Sequence, residues 1–455
     1  MKSFDVFDTL IARRYLSSDP LLKDIQNTIG VPNFFEKRKE ADTGYRSFSQ
    51  IYEHLVLTNI LTPDQAKRAS ALEIKLEIET SFQVKENMDK VNHGDLLISD
   101  MYLSGYIIKE MVRHAGLTKQ VTIYQSNGDK SSGKIWRLLQ DSNIELHLGD
   151  NMHSDVNVAT DYGINAQYYS GTGFSSTENY LAQNNLPHLA LLAREVRLRN
   201  KDASSSEFFT TAVSFNLPWL FVVAEMIHRK YKDKHIVFLG RDCQLLQQLY
   251  SCYYDDVSTY LPFSRKIAYN KPEISLEYIT AHTPPDCVLF DIISTGGTWE
   301  HMNKYGVLNV CVALYSNLEH YTKSKPILPP TFDYLTKNSD VGHAGFLLEV
   351  HNCADHGHLS DISKLAEGTF VCNFDEPELK SNIIDDIHCP IQKANLLSTS
   401  YKSPIRNNLS SLTDPELFNL FKQLVLAICG QTQLNNQLAE FYAQELSYLN
   451  TVKNI

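Results

Sequence analysis

The sequence predicts an α/β protein built on two separate parallel sheets, and three observations carry that expectation. Short apolar runs recur along the chain, each followed by a helix-patterned segment. Several of these runs end in an aspartate or a glycine-rich turn, at the carboxyl edge where open α/β sheets place their sites. At 455 residues the chain is long enough for two or three domains, each able to bury its own core.

The first run opens the chain. Phe4-Asp5-Val6-Phe7-Asp8-Thr9-Leu10 reads as a buried strand that carries Asp5 to the sheet edge. A polar, helix-patterned insertion follows, from about residue 11 to 94. Within it, Ile51 and Leu55 are spaced by four, as on one face of a helix. Thr62-Pro63-Asp64-Gln65 reads as an N-cap, a proline at the first helical position and an acidic first turn. Ala71 to Glu79 alternates like a strand, but its Glu, Lys and Leu content favours a helix. The second run, Asp95 to Met101, delivers the Ser99 hydroxyl, a donor for a phosphate oxygen. Tyr124 to Lys134 then supplies Lys130 and Lys134 ahead of a helix, and either can neutralise a transferring phosphoryl group. Gly149-Asp150-Asn151-Met152-His153-Ser154-Asp155 adds two more carboxylates. Asp5 and Asp150 brought to one edge would make a Mg²⁺ site, which wants few carboxylates and a substrate phosphate.

These four segments, in this order, resemble the haloacid-dehalogenase-like (HAD) hydrolase superfamily. The resemblance covers about the first third of the chain and implies a Rossmannoid parallel sheet under a helical cap. It makes Asp5 the nucleophile, Ser99 the hydroxyl of the second motif and Lys130, or Lys134, the lysine of the third. Asp150 and Asp155 are the acidic pair, and Mg²⁺ is held by Asp5, the Phe7 carbonyl and the acidic pair. The insertion would be the cap that covers the site. The sequence around Phe35 to Arg38 and Glu73 to Glu79 also resembles a subgroup of large HAD-like proteins from surface-polysaccharide gene neighbourhoods. One position departs from the phosphatase pattern. Where a second Asp would protonate the leaving group stands Phe7, whose side chain can transfer no proton; Asp8, one further on, is expected to face elsewhere by strand alternation.

A linker-like Asp202-Ala203-Ser204-Ser205-Ser206 precedes the second half. Phe208 to Ala224 is apolar but carries Thr, Ser, Asn and Pro, and reads as a core helix rather than a membrane span. His235 to Cys243 is a buried strand ending in Gly240-Arg241-Asp242. Arg265 and Lys266 are adjacent cations. Cys287 to Thr298 is an apolar strand, an acid and a glycine-rich turn whose backbone N–H groups form a phosphate cradle. This half resembles the type I phosphoribosyltransferases. The resemblance makes Asp291 a ribose-binding acid and Ser294, Thr295, Gly296, Gly297 and Thr298 the phosphate turn. Arg241, Arg265 and Lys266 would then serve a pyrophosphate, and Phe290 stands where the family has its first acid.

Net charge −11 argues against a nucleic-acid surface, and the chain begins with a strand rather than a signal peptide, so a cytoplasmic protein without membrane partners is expected. All eight cysteines lie after residue 240 without Cys-x-x-Cys pairs, so free thiols are expected. His351, Cys353, Asp355, His356 and His358 match no zinc spacing and read as a loop with surface histidines. Residues 390–412, rich in Ser, Asn, Lys and Pro, read as a loop or linker before a terminal helix at Thr413. The domains are therefore placed at 1–190 (hydrolase, with the cap), 191–230 (connecting helix region), 231–389 (transferase-like) and 390–455 (linker and helix). The function expected is a Mg²⁺-dependent phosphohydrolase acting on a phosphorylated sugar or nucleotide-like metabolite, with phosphoribosyl pyrophosphate as a ligand of the second half. The competing expectation is a binding or scaffold protein with degenerate sites at Phe7 and Phe290.

Overall fold

A computed structural model describes residues 1–429 apart from Leu16, Tyr45, 201–205, Thr295, Leu308, 316–331, 337–343 and Glu378. The chain divides into two compact units, Met1–Ser175 with Arg197–Asp202, and Ser176–Val196 with Ala203–Ile455. Both are α/β with parallel sheets.

The first unit holds β1 (Lys2–Asp5), β4 (Leu96–Asp100), β5 (Thr122–Ser126), β6 (Leu146–Gly149) and β7 (Ala166–Tyr168) in the order β5-β4-β1-β6-β7. Every pairing is parallel. Renumbered within the unit, that is 3-2-1-4-5, the doubly wound order, with its switch point between β1 and β6. The central strands β1, β4 and β6 are mostly buried, whereas the edge strands β5 and β7 are largely exposed or half-buried. Leu97 packs with Phe4 and Leu148 into one cluster, while its neighbours Leu96 and Ile98 join Trp136 and Ile135 in another. Successive side chains on a strand face opposite ways, so each cluster fills one face.

The insertion is bounded by a two-stranded antiparallel ribbon, β2 (Ile11–Arg13) with β3 (Ser81–Gln83). Between them lie α1 (Ser18–Ile29), α2 (Phe34–Ala41), α3 (Phe48–Leu57) and α4 (Pro63–Thr80). The helical reading of Ala71 to Glu79 and of the Thr62 start holds: Thr62 accepts from the Gln65 N–H, and Gln65 reaches back to the Thr62 N–H at 2.9 Å. Ile51 and Leu55 are buried in the four-helix core. The polar residues of α4 do not all face water. Glu73 is fully buried, and Arg38 bonds it through Nε (3.1 Å) and Nη2 (2.6 Å), with the Tyr52 and Tyr102 hydroxyls as further donors. Such a buried, fully hydrogen-bonded charge fixes one arrangement of α2, α3 and α4.

The second unit has β8 (Ile236–Leu239), β9 (Ser258–Leu261), β10 (Val288–Ile293), β11 (Val310–Tyr315) and β12 (Phe332–Tyr334) in the parallel order β12-β11-β10-β8-β9. Within the unit this is 2-1-3-4-5, with the switch point between β8 and β10. A hairpin, β13 (Leu359–Lys364) and β14 (Phe370–Phe374), packs its Leu359 and Ile362 on the sheet's core. The continuous helix Glu207–Tyr231 is long and apolar enough to cross a membrane, but 78% of its apolar window is buried inside the protein, so it is a core helix.

Two expectations fail here. Residues 390–412 are not a loop: they form the end of helix Ser381–Leu396 and all of helix Ser398–Ser411. Tyr401, Ile405 and Leu409 recur every four residues and are buried, so packing of this stripe outweighs the weak helix propensity of Ser, Asn and Pro. The histidine-rich segment is a loop only from 352 to 358, with Asp355 exposed and His356 and His358 half-buried, and its start departs from the expectation. His351 ends helix Ala344–His351 with no exposure, and Asn352, Cys353 and Ala354 are buried with it.

Candidate active site

The carboxyl ends of β4, β1 and β6 lie side by side, because Asp5 pairs in register with Ile98 and Phe4 with Leu148. That register puts Asp5, Ser99 and Asp150 at one edge. Asp155 arrives from the helical turn Met152–Asn157, which Asn151 caps by accepting from the His153 and Ser154 N–H groups at 3.0 Å. Gly149 is required by this arrangement: a Cβ there would sit 2.4 Å from Asp155 Cβ and 2.6 Å from its Oδ2. Asp5, Asp150 and Asp155 each offer an oxygen, and these lie within 4.8 Å of one another.

Lys130 is the lysine of this cluster. Its Nζ bonds Asp5 Oδ1 and lies 2.7 Å from Asp155 Oδ1, with the side chain almost wholly buried. Lys134 is exposed and pairs with Asp129. Burial alone would lower the Lys130 ammonium, but Asp5 and Asp155 outweigh it, so the lysine stays charged. Burial pushes the Asp5 carboxyl up to about 8; Lys130 pulls against this, and Asp155 and Asp150 add to it. Asp150 is pushed up to about 6 by burial and by the charges of Asp8 and Asp155. Burial works against ionising Asp155, yet His147 and Lys130 hold it down at about 2. Lys130 is the stronger cause, since His147 Nε2 is 3.7 Å away, beyond hydrogen-bond length. Three carboxylates thus face one ammonium, an excess of negative charge that a divalent cation fits. Ser99 Oγ is buried at this edge with no hydrogen-bond partner among the described residues, as a donor reserved for a ligand oxygen would be.

Three features escaped the sequence reading. Asp100, quoted only as a neighbour of Ser99, holds the lysine-bearing loop: its Oδ1 accepts from Ser126 Oγ (2.6 Å) and from the Gly128 (2.7 Å) and Asp129 (3.1 Å) N–H groups. Asp8 does not lie apart from the site, since its charge is the largest one raising Asp150. β1 ends at Asp5 and Asp8 has a left-handed backbone (φ 54°), so strand alternation no longer applies there. Its backbone is pinned by N–H donation to the Ile11 carbonyl (2.7 Å) and by Thr172 Oγ1 donating to its own carbonyl (2.9 Å). Phe7, in turn, lies under Arg13, whose guanidinium carbon is 5.2 Å from the ring centre. Arg13, on β2, also pairs with buried Glu77 of α4 at 3.2 Å, so that one side chain joins α4 to Phe7 in the segment after β1. On the other side of the site, Asn127 Nδ2 donates to the Arg46 carbonyl (3.2 Å).

In the second unit, Asp242 follows β8 and Asp291 lies within the adjacent strand β10, across the switch point, and Asp242, Cys243 and Asp291 offer ligand atoms within 4.8 Å of one another. Burial drives the Asp291 carboxyl well up, Asp242 and Glu349 adding to it and Arg265 and Ser294 opposing. Gly296 is left-handed (φ 81°) and starts helix Gly297–Lys304, and its N–H donates to Ser294 Oγ at 3.2 Å. Thr298 lies in the first turn of that helix; Thr295 lies outside the described residues. Arg241 is buried in the turn after β8. Lys266 lies 3.6 Å from Asp375 and is not brought to this edge by any described contact, whereas Arg265 acts on Asp291. Phe290 is core: its ring packs edge-on against Phe238, with centroids 5.6 Å apart.

Both units are therefore doubly wound α/β folds with acids at the switch point. No protein-family model matches the chain, and no curated protein matches it at a significant level.

Proposed function

We propose that the first unit is a Mg²⁺-dependent phosphohydrolase of the HAD-like type, working through an aspartyl-phosphate on Asp5. The observation that carries this reading is the convergence of Asp5, Asp150, Asp155 and Lys130 beside the unpartnered Ser99 hydroxyl. Asp5 and Asp150, with the Phe7 carbonyl, would hold Mg²⁺, which when bound would supply positive charge to the phosphoryl oxygens. Lys130 opposes the burial that favours protonated Asp5 and fixes one of its oxygens; Mg²⁺, if bound, would further favour the carboxylate, leaving the other oxygen to attack phosphorus. The bond to the leaving group breaks as the Asp5–phosphorus bond forms, and the leaving oxygen keeps the electron pair. Ser99 donates to a phosphoryl oxygen and Lys130 balances its charge. Water then attacks the phosphorus, releasing phosphate and restoring the Asp5 carboxylate. Phe7 gives no proton to the leaving group, so aryl or acyl phosphates should react faster than alkyl esters, by about the 10²–10⁴-fold that general acid help supplies.

The substrate class is a phosphorylated sugar or nucleotide-like metabolite, approached under the α1–α4 cap. The Asp242–Asp291 pair and the Ser294–Thr298 turn support a ribose-phosphate ligand, phosphoribosyl pyrophosphate among them, in the second unit. Screening phosphorylated metabolites with Mg²⁺ on the wild type and on Asp5→Asn tests the reading. Turnover by the wild type that Asp5→Asn removes is the expected result. No turnover of any aryl, acyl or alkyl phosphate would favour a binding protein with degenerate sites.

A further inference from the structure

A cavity of about 670 Å³ in the second unit lies among helices Leu217–Tyr231, Gln244–Tyr253 and Ser398–Ser411, on residues unrelated to either sheet edge. It has the size of a small-molecule site. Its lining side chains, Cys252 apart, carry polar or charged groups, while their carbon stems contribute much of the wall. One wall is the outward face of helix Ser398–Ser411, the segment whose composition suggested a loop. Tyr401, Ile405 and Leu409 bury the other face and hold the helix in place, with the Tyr401 hydroxyl donating to buried Glu195 at 2.9 Å. Two polar stripes remain: Lys402 and Arg406, and beside them Thr399, Ser403 and Asn407, each spaced by four.

The lining carries two carboxylates, Glu225 and Asp255, and two cations, Lys402 and Arg406, but they are not paired one to one. Lys402 Nζ lies 2.7 Å from Asp255 Oδ1, and Arg406 Nη1 lies 3.1 Å from Asp255 Oδ2, so one carboxylate serves two cations. The Asp255 side chain is 76% exposed, whereas those of Lys402 and Arg406 are 33% and 31% exposed. An exposed carboxylate is a weak, screened partner and is readily exchanged. The other carboxylate of the lining, Glu225, is buried and already committed: it accepts from Arg229 Nε at 2.8 Å and from the Tyr254 hydroxyl at 3.0 Å. Arg406 is also seated over the Tyr254 ring, 5.2 Å from its centre, which preorganises its guanidinium. His228 lines the cavity too, its Nδ1 fixed by Asp256 at 2.5 Å. That leaves Nε2 as the ring's remaining polar atom.

We propose that this cavity binds a small hydroxylated phosphate ester, its phosphate replacing Asp255 on Lys402 and Arg406. The hydroxyls of Thr399 and Ser403 and the amide of Asn407 would receive the ligand's own hydroxyls, and no covalent step is involved. The reading is independent of the hydrolase proposal: the residues are different and Mg²⁺ is not needed.

The test is calorimetric titration of the full-length protein in EDTA with a hexose phosphate, and with the neutral hexose as a control. The hexose phosphate should bind and the neutral hexose should not. Lys402→Gln should weaken binding about tenfold, as expected for loss of a charge-assisted hydrogen bond. Asp255→Asn should do the opposite and tighten it severalfold, because it removes the competitor and leaves both cations. Asp255 is exposed, so this variant is expected to fold whatever becomes of Lys402→Gln. Binding should weaken as salt rises. Equal binding of the neutral hexose, or hexose phosphate binding that is absent or unmoved by Asp255→Asn, overturns the proposal.

Discussion

The two sheets place acids at equivalent points and do different things with them. In the first unit a buried lysine is driven between the carboxylates, and one of them, Asp155, is held low while Asp5 and Asp150 are pushed up. In the second unit Asp291 faces Asp242 and Glu349, with Arg265 and the Ser294 hydroxyl as the opposing groups, and it is pushed up without a buried lysine beside it. The difference teaches that an acid at a switch point is only a location. A cation placed beside it opposes the burial that otherwise keeps the carboxylate protonated, and it prevails at Asp155 but not at Asp5 or Asp291.

The largest test of this contrast is activity. Asp5→Asn should lower Mg²⁺-dependent phosphate-ester hydrolysis by about 10⁴-fold or more, the scale of losing a nucleophile. Asp291→Asn, measured in the same assay, should leave it unchanged. Equal losses would show that the two edges serve one reaction.

Stability should separate the units next. Lys130→Met strands the buried carboxylates and should cost about 3–5 kcal/mol, the range for breaking a buried ion pair. Urea unfolding with and without Mg²⁺ reads this, and Mg²⁺ should restore part of the loss. Asp291→Asn replaces a carboxyl that burial already favours in its neutral form, and should change stability by less than about 1 kcal/mol.

Ser99→Ala should lower turnover by about 10²–10³-fold, the cost of one donor to a developing charge. It should not lower stability, because the hydroxyl has no partner among the described residues to lose. A stability loss with unchanged turnover would make Ser99 a packing residue.

The smallest expected effect concerns pH and belongs to the second unit. Burial holds the His351 ring down at about 4, with no nearby charge involved. Between about pH 6.5 and 4 the unfolded chain takes up a proton that the folded protein refuses. Stability therefore falls as pH falls through this window and is recovered above it, by on the order of 3 kcal/mol at most. His351→Phe should flatten the slope between pH 4 and 6.5 in denaturant titrations. An unchanged slope would assign acid lability to other groups.

Much of this was legible in the residues. The Asp-terminated runs at Asp5 and Asp150, the serine at Ser99 and the lysine loop could be read because each motif is short and its spacing reflects one strand and one turn. The α4 start was legible for the same reason: the Thr62–Gln65 capping box is a local contact. The helix Ser398–Ser411 was not, since its composition favours a loop and only its buried stripe says otherwise. Asp100 was passed over because its partners, Ser126 to Asp129, are brought to it by β4–β5 pairing. Asp8 was misplaced because a left-handed residue breaks the period that strand reasoning assumes.

By itself, then, the sequence determined the class of each half and the identity of the acids at the sheet edges, since periodicity and turn chemistry are local. Tertiary structure alone decided that Lys130 rather than Lys134 meets Asp5, that Glu73 is buried against Arg38, and that Lys402 and Arg406 share one carboxylate. Each of these depends on which residues, distant along the chain, share a low-dielectric space, and no spacing rule encodes that.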